Sequence, residues 1–530
     1  AKVGERKSPS RDGTPQGGRP PPATPPSGAS AAALASLEKA SHTPASPDSH
    51  ATGSTPGSPM RRKTRSPVKV PRRKPRMNLI TEEGAIAPLV DLLTKESKGA
   101  QEEAAGALKA LAETALIRNV ITEAGGIGPL VALLGGSNPG ARENAEGTLV
   151  KLAWEFANRV LIIQQLVAML SFEQMTAREQ AAAAIANLAH ESTANCTSIV
   201  DAGGIPPLLA LLECDSAKAK ENSASAITQL ARGSRPNQNS ITKAGGIPKL
   251  VTVLVASSSS KNDTSSQSMD AIVTHAIWTM AKKNFANQVA LAEAGVITPL
   301  VSMLGNASAE LQLPATGVIE CLLQSKDLQA AVVRTGAIAP LCMLSRDGAP
   351  ETQEQAAAAL WSLAKERPSA DEGKGAALQN RNTIAKLGGI ESLVKMFLTG
   401  GSEKSQKNAA GALSSIASKH SENRAVIARR LVNQLNSKVA PEVAGRTLAG
   451  IARLCGRNFE MSHDEKVLNQ VAIAKVGGVT AMISWLGNSD EYAQKESAHA
   501  LLAMATNNYS TQTSIYRADG LQALIEVVFR

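Results

Sequence analysis

After residue 77 the sequence copies itself, and this constrains the fold more than any other feature. Glu83–Leu93 (EGAIAPLVDLL), Ala124–Leu134 (AGGIGPLVALL), Ala202–Leu212 (AGGIPPLLALL) and Ala244–Leu254 (AGGIPKLVTVL) are variants of one motif. It returns at Ala294–Leu304, Thr335–Leu344, Leu387–Phe397, Val476–Leu486 and Ala518–Val528, with degenerate copies at Ile162–Leu170 and Arg429–Leu435. The first apolar anchors after the glycines are Leu89, Leu130, Leu166, Leu208, Leu250, Leu300, Leu341, Leu393, Leu431, Met482 and Leu524. They recur with a period of roughly 42 residues, in the range of helical solenoids. A unit that short cannot bury its apolar face alone, so the copies must stack.

Each unit reads as three helices. A short helix ends at Gly-Gly, where a left-handed residue costs least without a Cβ. A second helix follows at once, often with proline in its first turn (Pro88, Pro129, Pro206, Pro248), where a missing N–H loses nothing. After a polar turn comes an alanine-rich third helix, predicted over Ala141–Ala153, Ala177–Ala189, Ala219–Ala231, Thr352–Ala364 and Ser405–Ala417. Glu143, Glu179, Glu221 and Glu354 are expected in its first turn, where the helix dipole favours an anion. Asn158, Asn195, Asn287 and Asn423 are expected to cap the next short helix. Aromatic residues are 2% of the chain and apolar residues 43%, so the core must be alanine and aliphatic side chains, which favours helices over sheets. Loops longer than the period are expected at Ser257–Gln267, Glu366–Gln379 and Gly456–Gln470, each a surface loop or a mobile partner site. The last unit stops at Arg530 without a third helix, so it is expected to be incomplete.

The order of glycine pair, proline, leucine run and alanine-rich third helix resembles the armadillo repeat family over residues 78–530. The dress of Glu351–Ala364 (ETQEQAAAALWSLA) is similar to the vacuolar-protein-eight-like armadillo proteins of plants and protists. HEAT repeats lack the Gly-Gly break. The resemblance implies an all-α, right-handed superhelical solenoid of about 10–11 repeats whose third helices line an inner groove. In family members that receive nuclear import signals, third helices carry Trp and Asn four residues apart. Here the Asn place reads Ala110, Lys151, Asn187, Gln229, Thr279, Cys321, Ser362, Ser415, Gly450 and Ala503, and the place four before it is never Trp. The import-receptor role is therefore not expected. Lysine at the same place, as an acidic partner would require, occurs at Lys151 alone. The polar residues Lys151, Asn187, Gln229, Thr279, Ser362 and Ser415 remain candidates for holding an extended protein partner in the groove. Trp278 and Trp361 sit one residue before that place and are read as core wedges.

The positive charge lies elsewhere. Residues 1–77 carry 15 lysines and arginines against four acids, 14 of the 27 prolines and no aromatic residue. Such a segment cannot bury enough apolar area to offset its chain entropy and is expected to be a disordered tail, apart from a transient helix at Ala29–Ala40. Arg61, Arg62, Lys63, Arg65, Lys69, Arg72, Arg73, Lys74 and Arg76 crowd residues 60–76 without an acid. Three readings compete: an import signal, a tether to a polyanionic surface such as a microtubule, RNA or anionic lipid, or a solvated linker. Ser8, Thr55, Ser58 and Ser66 each precede proline and are candidates for phosphorylation, which at Ser66 would weaken the neighbouring electrostatic contacts.

Catalytic patterns are missing. Gly135 and Gly140 have phosphate-loop spacing, but Ala141-Arg142 follow where Lys-Ser/Thr is needed. The seven histidines are scattered, and none stands at ligand spacing from a cysteine. Cys196, Cys214, Cys321, Cys342 and Cys455, without a CxxC pair, are read as small buried hydrophobes in a reducing compartment. The reading is thus a non-enzymatic interaction scaffold that uses no cofactor, metal or small-molecule substrate and reads no nucleic-acid sequence. Its expected place is the cytoplasm, with the nucleus or cytoskeleton as alternatives. Two rivals stand beside it: a cytoskeletal or ciliary structural component, and the substrate-recognition part of a ubiquitin ligase. An acylated, membrane-anchored scaffold is a further possibility.

Overall fold

A computed structural model describes residues 84–95, 97–190, 192–258, 264–306, 308–366, 375–457 and 462–529. Among these the only regular structure is helical. The expected three-helix unit is present, for example as Thr193–Asp201, Ile205–Leu211 and Ala217–Ala231.

The Gly-Gly break works as the sequence implies, with a separate task for each glycine. Gly203 is left-handed, with φ of +77°. At Gly204 a Cβ would sit 2.8 Å from the Ile199 side chain and 3.0 Å from its carbonyl, so glycine eases the close approach of the two helices there. Val296 and Ala337 take the same place in two other units. The chain turns by 79–88° where such breaks are measured, as between Ala115–Glu123 and Ile127–Leu134. Where the glycines are missing, the turn is missing too. The degenerate copies lack the pair and the residues around it: Asn158 to Leu166 and Asn423 to Leu431 each span 8 residues, where Asn195 to Leu208 spans 13. There the first and second helices fuse into the continuous helices Phe156–Met169 and Ser421–Asn436.

That local difference reaches the packing. Third helices of successive units lie directly against one another from Met175–Ala189 through Ala217–Ala231, Thr264–Ala281, Ala309–Leu323 and Pro350–Ala364 to Glu403–Ala417. Lys98–Leu111 packs in the same way on Pro139–Leu152, and Pro441–Ala452 on Glu491–Ala505. At the two fused helices the neighbouring third helices draw apart and touch only marginally. The solenoid is therefore three stacks with two joints. At the second joint Phe397 fills in: a Cβ on Gly450 would lie 2.0 Å from its ring.

Several expectations need correction. Third helices begin two residues earlier than predicted, at Pro139, Met175, Ala217, Pro350 and Glu403. Glu143, Glu179, Glu221 and Glu354 thus lie in the second turn. Instead of meeting their own helix dipole, two of them clamp the next unit. Ser216, the N-cap of its helix, donates to Glu179 at 2.5 Å, and Ser402 likewise donates to Glu354 at 2.6 Å. The asparagines also work in the other direction. The N-caps of the short helices are residues such as Ser192, Ser234, Asn284 and His420. Asn195, Asn237, Asn287 and Asn423, three positions later, donate to Leu188, Leu230, Met280 and Ile416 carbonyls at the end of the preceding third helix. They satisfy acceptors that the helix end leaves open. Asn158 is the exception: buried, its Nδ2 has no partner. Its turn from Lys151 is one residue shorter than the turn from Gln229 to Asn237. The expected long loops are shorter than read, because helices run to Ser258 and resume at Thr264, Ala376 and His463. The tail, with Ala29–Ala40, the basic residues of 60–76, Ser8, Thr55, Ser58 and Ser66, lies outside the described residues.

Candidate functional site

The third helices between Met175 and Ala417 form the longest directly stacked run among the described residues. Each buries its alanine face, as Ala181, Ala182, Ala184 and Ala186 do, and leaves a strip uncovered at helical spacing. On Met175–Ala189 the strip runs through Ala183, Asn187 and His190; on Ala217–Ala231 and just beyond, through Ser225, Gln229 and Arg232. On Thr264–Ala281 it carries His275 and Trp278 and ends at Lys282; on Pro350–Ala364 it carries Trp361 and Ser362 and ends at Lys365.

The predicted groove residues fall unequally on this strip. Asn187 is exposed and donates to the Glu146 carboxylate across the first joint. Gln229 is half-buried, and among the described residues its side chain has no hydrogen-bond partner. Ser362 and Ser415 are half-buried. Lys151 stands in another stack, tied to the Lys109 carbonyl at 2.7 Å and paired with Glu113. Thr279 is a correction: it is 5% exposed, and its hydroxyl donates to the His275 carbonyl at 2.9 Å. It belongs to the wall, not to the surface that a partner would meet. Its carbonyl is also taken, by Gln238 of the preceding unit at 2.9 Å. Gln329 does the same to Ser362 and Gln470 to Ala503. The backbone acceptors along the wall are thus used to bind unit to unit.

The tryptophans are wedges, and more. A Cβ on Gly317 would lie 2.2 Å from the Trp278 ring, and one on Gly411 would lie 2.4 Å from the Trp361 ring. Each indole fills the space that a glycine leaves on the next third helix. Each also carries a lysine one turn later. Lys282 Nζ sits 3.5 Å from the Trp278 ring centre, and Lys365 Nζ 5.8 Å from that of Trp361, within cation–π range. His275 meets Trp278 edge-on at 5.6 Å. Burial, then Lys282 and Arg232, holds His275 below the ordinary imidazole range, so it is neutral at pH 7. Loss of water holds Lys282 below the lysine range, with Arg232 and Lys404 adding to that shift.

Reading the repeats at one register, the Asn place, misses Arg232, Lys282 and Lys365. The signal was three residues on, at the ends of the same helices. Elsewhere the chemistry is structural. Cys196, Cys321, Cys342 and Cys455 are buried and Cys214 is half-buried. Burial pushes the Cys321 and Cys342 thiols up to about 12. Among the described residues no three His, Cys, Asp or Glu side chains gather as metal ligands, and no single helix is long and apolar enough to cross a membrane.

Comparison with known proteins finds a repeat model in parts of the chain and similar solved structures. Residues 73–112, 192–232, 325–365 and 379–418 match the armadillo/beta-catenin-like repeat. A crystal structure of an engineered protein is 27% identical with a TM-score of 0.55, covering 79% of this chain and 99% of that one. A second engineered protein is 26% identical with a TM-score of 0.42, covering 49% and 99%. A designed armadillo repeat protein in complex with the peptide (KR)4 is 23% identical with a TM-score of 0.41, covering 48% and 99%. No curated protein matches the chain.

Proposed function

We propose that this armadillo-repeat protein is a non-enzymatic scaffold that holds a protein partner along the third helices between Met175 and Ala417. One observation carries the reading. Those helices form an unbroken wall whose outer strip is polar and half-exposed, while the alanine faces that stack them are buried. A repeat frame of this kind presents a long shallow surface and no enclosed site. The residues that a partner would meet first are Asn187, Gln229, Ser362 and Ser415. The boundary after Met77 and a tail that tethers or targets the scaffold belong to the same proposal, with the cytoplasm as its place of action. Its finer kinship to the vacuolar-protein-eight-like proteins also stands as a proposal, on the Glu351–Ala364 pattern.

The test is a pull-down with the full chain and with Asn187→Ala/Gln229→Ala, followed by identification of what is retained. Partners retained by the parent and lost by the double variant support the wall. Equal retention removes it from consideration. A microtubule pelleting assay at low and high salt tests the tail: pelleting that salt abolishes supports the tether, and none at low salt overturns it.

A further inference from the structure

The wall has a sign of charge that its sequence register concealed. Arg232, Lys282 and Lys365 end three of the third helices, are exposed, and have no carboxylate partner among the described residues. Some cations elsewhere on third helices are paired, as Lys151 is with Glu113, Lys218 with Glu221 and Lys404 with Glu354. Others, such as Lys220 and Lys407, are not paired among the described residues; Arg232, Lys282 and Lys365 differ in sharing one place at the ends of their helices. A cation at a helix C-terminus is favourable in itself, but the helix dipole does not require the platforms on which two of these rest. Trp278 seats Lys282 and strips part of its water, which strengthens its hold on an anion, and Trp361 lies beneath Lys365 at the outer limit of cation–π range. Glu320 is the acid that faces this cluster, and its carboxylate accepts from Gln324 at 2.9 Å instead of pairing with Lys282.

We infer that the wall from Arg232 to Lys365 receives an extended acidic protein segment whose carboxylates meet Arg232, Lys282 and Lys365 in turn. This rests on the scaffold reading and names its partner chemistry. Stacked helices recur about every 9–10 Å, and an extended chain advances about 3.4 Å per residue. Acidic residues about three positions apart therefore match successive units. Gln324 stands between Lys282 and Lys365 in the series, so a polar residue fits there. The half-buried Gln229 and Ser362 lie beside the same track.

The probe is a fluorescein-labelled oligoglutamate of about 12 residues, long enough to span these units. A Lys-Arg repeat peptide of equal length is the second arm. Both are titrated against the full chain, against Arg232→Gln/Lys282→Gln/Lys365→Gln, and against Lys243→Gln/Lys395→Gln/Lys438→Gln. The control lysines are exposed and lie off the third helices. Both variants lose the same charge, so attraction to the chain as a whole, tail included, falls equally in each. The expected result is oligoglutamate binding weakened about tenfold or more by the first triple and less than about threefold by the control. Equal weakening overturns the assignment, as does tighter binding of the basic peptide. If the first triple melts early, Lys365→Gln alone carries the comparison, because its ammonium lies furthest from its ring. Should oligoglutamate fail to bind while cellular partners still depend on Asn187 and Gln229, the scaffold stands and the acidic partner falls.

Discussion

Asparagine shows how a single residue works in this frame. On the short helices of Asn195, Asn237 and Asn287 it reaches back to the open end of the preceding helix, and the bond depends on the length of the turn between them. Asn237 meets the Leu230 carbonyl at 2.8 Å, whereas Asn158, on a turn one residue shorter, has an idle Nδ2. Asn237→Ala is therefore expected to cost about 1–2 kcal/mol of unfolding free energy and Asn158→Ala far less, measured by urea denaturation. Similar losses would contradict the capping role. The cysteines give a second test at this scale. Burial raises the thiols of Cys321, Cys342 and Cys455 far above neutral pH. A thiol reagent added to the native chain should modify Cys214 quickly and these three only on unfolding.

Between elements, carboxylates act as clamps. Burial alone would raise Glu354, but Lys404 and the Ser402 hydroxyl outweigh it and hold the carboxyl below its ordinary 4.5. A carboxyl depressed in the folded state adds stability above its unfolded pKa and loses it as pH falls through the folded value. The clamp is thus intact at neutral pH and is lost below about pH 4.5. Glu354→Gln should lower stability at pH 7 and leave parent and variant alike near pH 3, read from paired melting curves. A gap that persists at pH 3 would show that the side chain acts through packing.

For the whole molecule, the two fused helices matter more than any insertion. A stack of repeats transmits stability through nearest-neighbour contacts, and those contacts thin out at Phe156–Met169 and Ser421–Asn436. Native-state hydrogen exchange across a denaturant series should therefore resolve three blocks, with boundaries at those helices. One common opening energy from residue 84 to residue 529 would deny the joints any energetic meaning. Placing a glycine pair at Leu161-Ile162 would not restore the break, because the residues around it are missing too and Ile162 is wholly buried in the fused helix. Large-to-small exchange there is expected to cost about 2–5 kcal/mol.

The amino-acid sequence by itself determined the unit, its period and its break, because these rest on local rules. Glycine tolerates a left-handed backbone, proline tolerates a first turn, and alanine lets helices approach. It even marked the two degenerate copies, by the glycines they lack. It did not say that those copies would part their neighbouring third helices, since that depends on the direction in which a whole helix leaves the unit. It misplaced the duties of Glu179, Glu354 and the asparagines, whose partners come from other helices. It counted Thr279 among the groove residues and passed over Arg232, Lys282 and Lys365. Whether a side chain on a stacked helix faces the wall or the solvent is decided by the neighbour it packs on, here a glycine that draws a tryptophan in and seats a lysine above it. Only the tertiary structure holds that information, because the two partners lie some 40 residues apart in the chain and one helix apart in space.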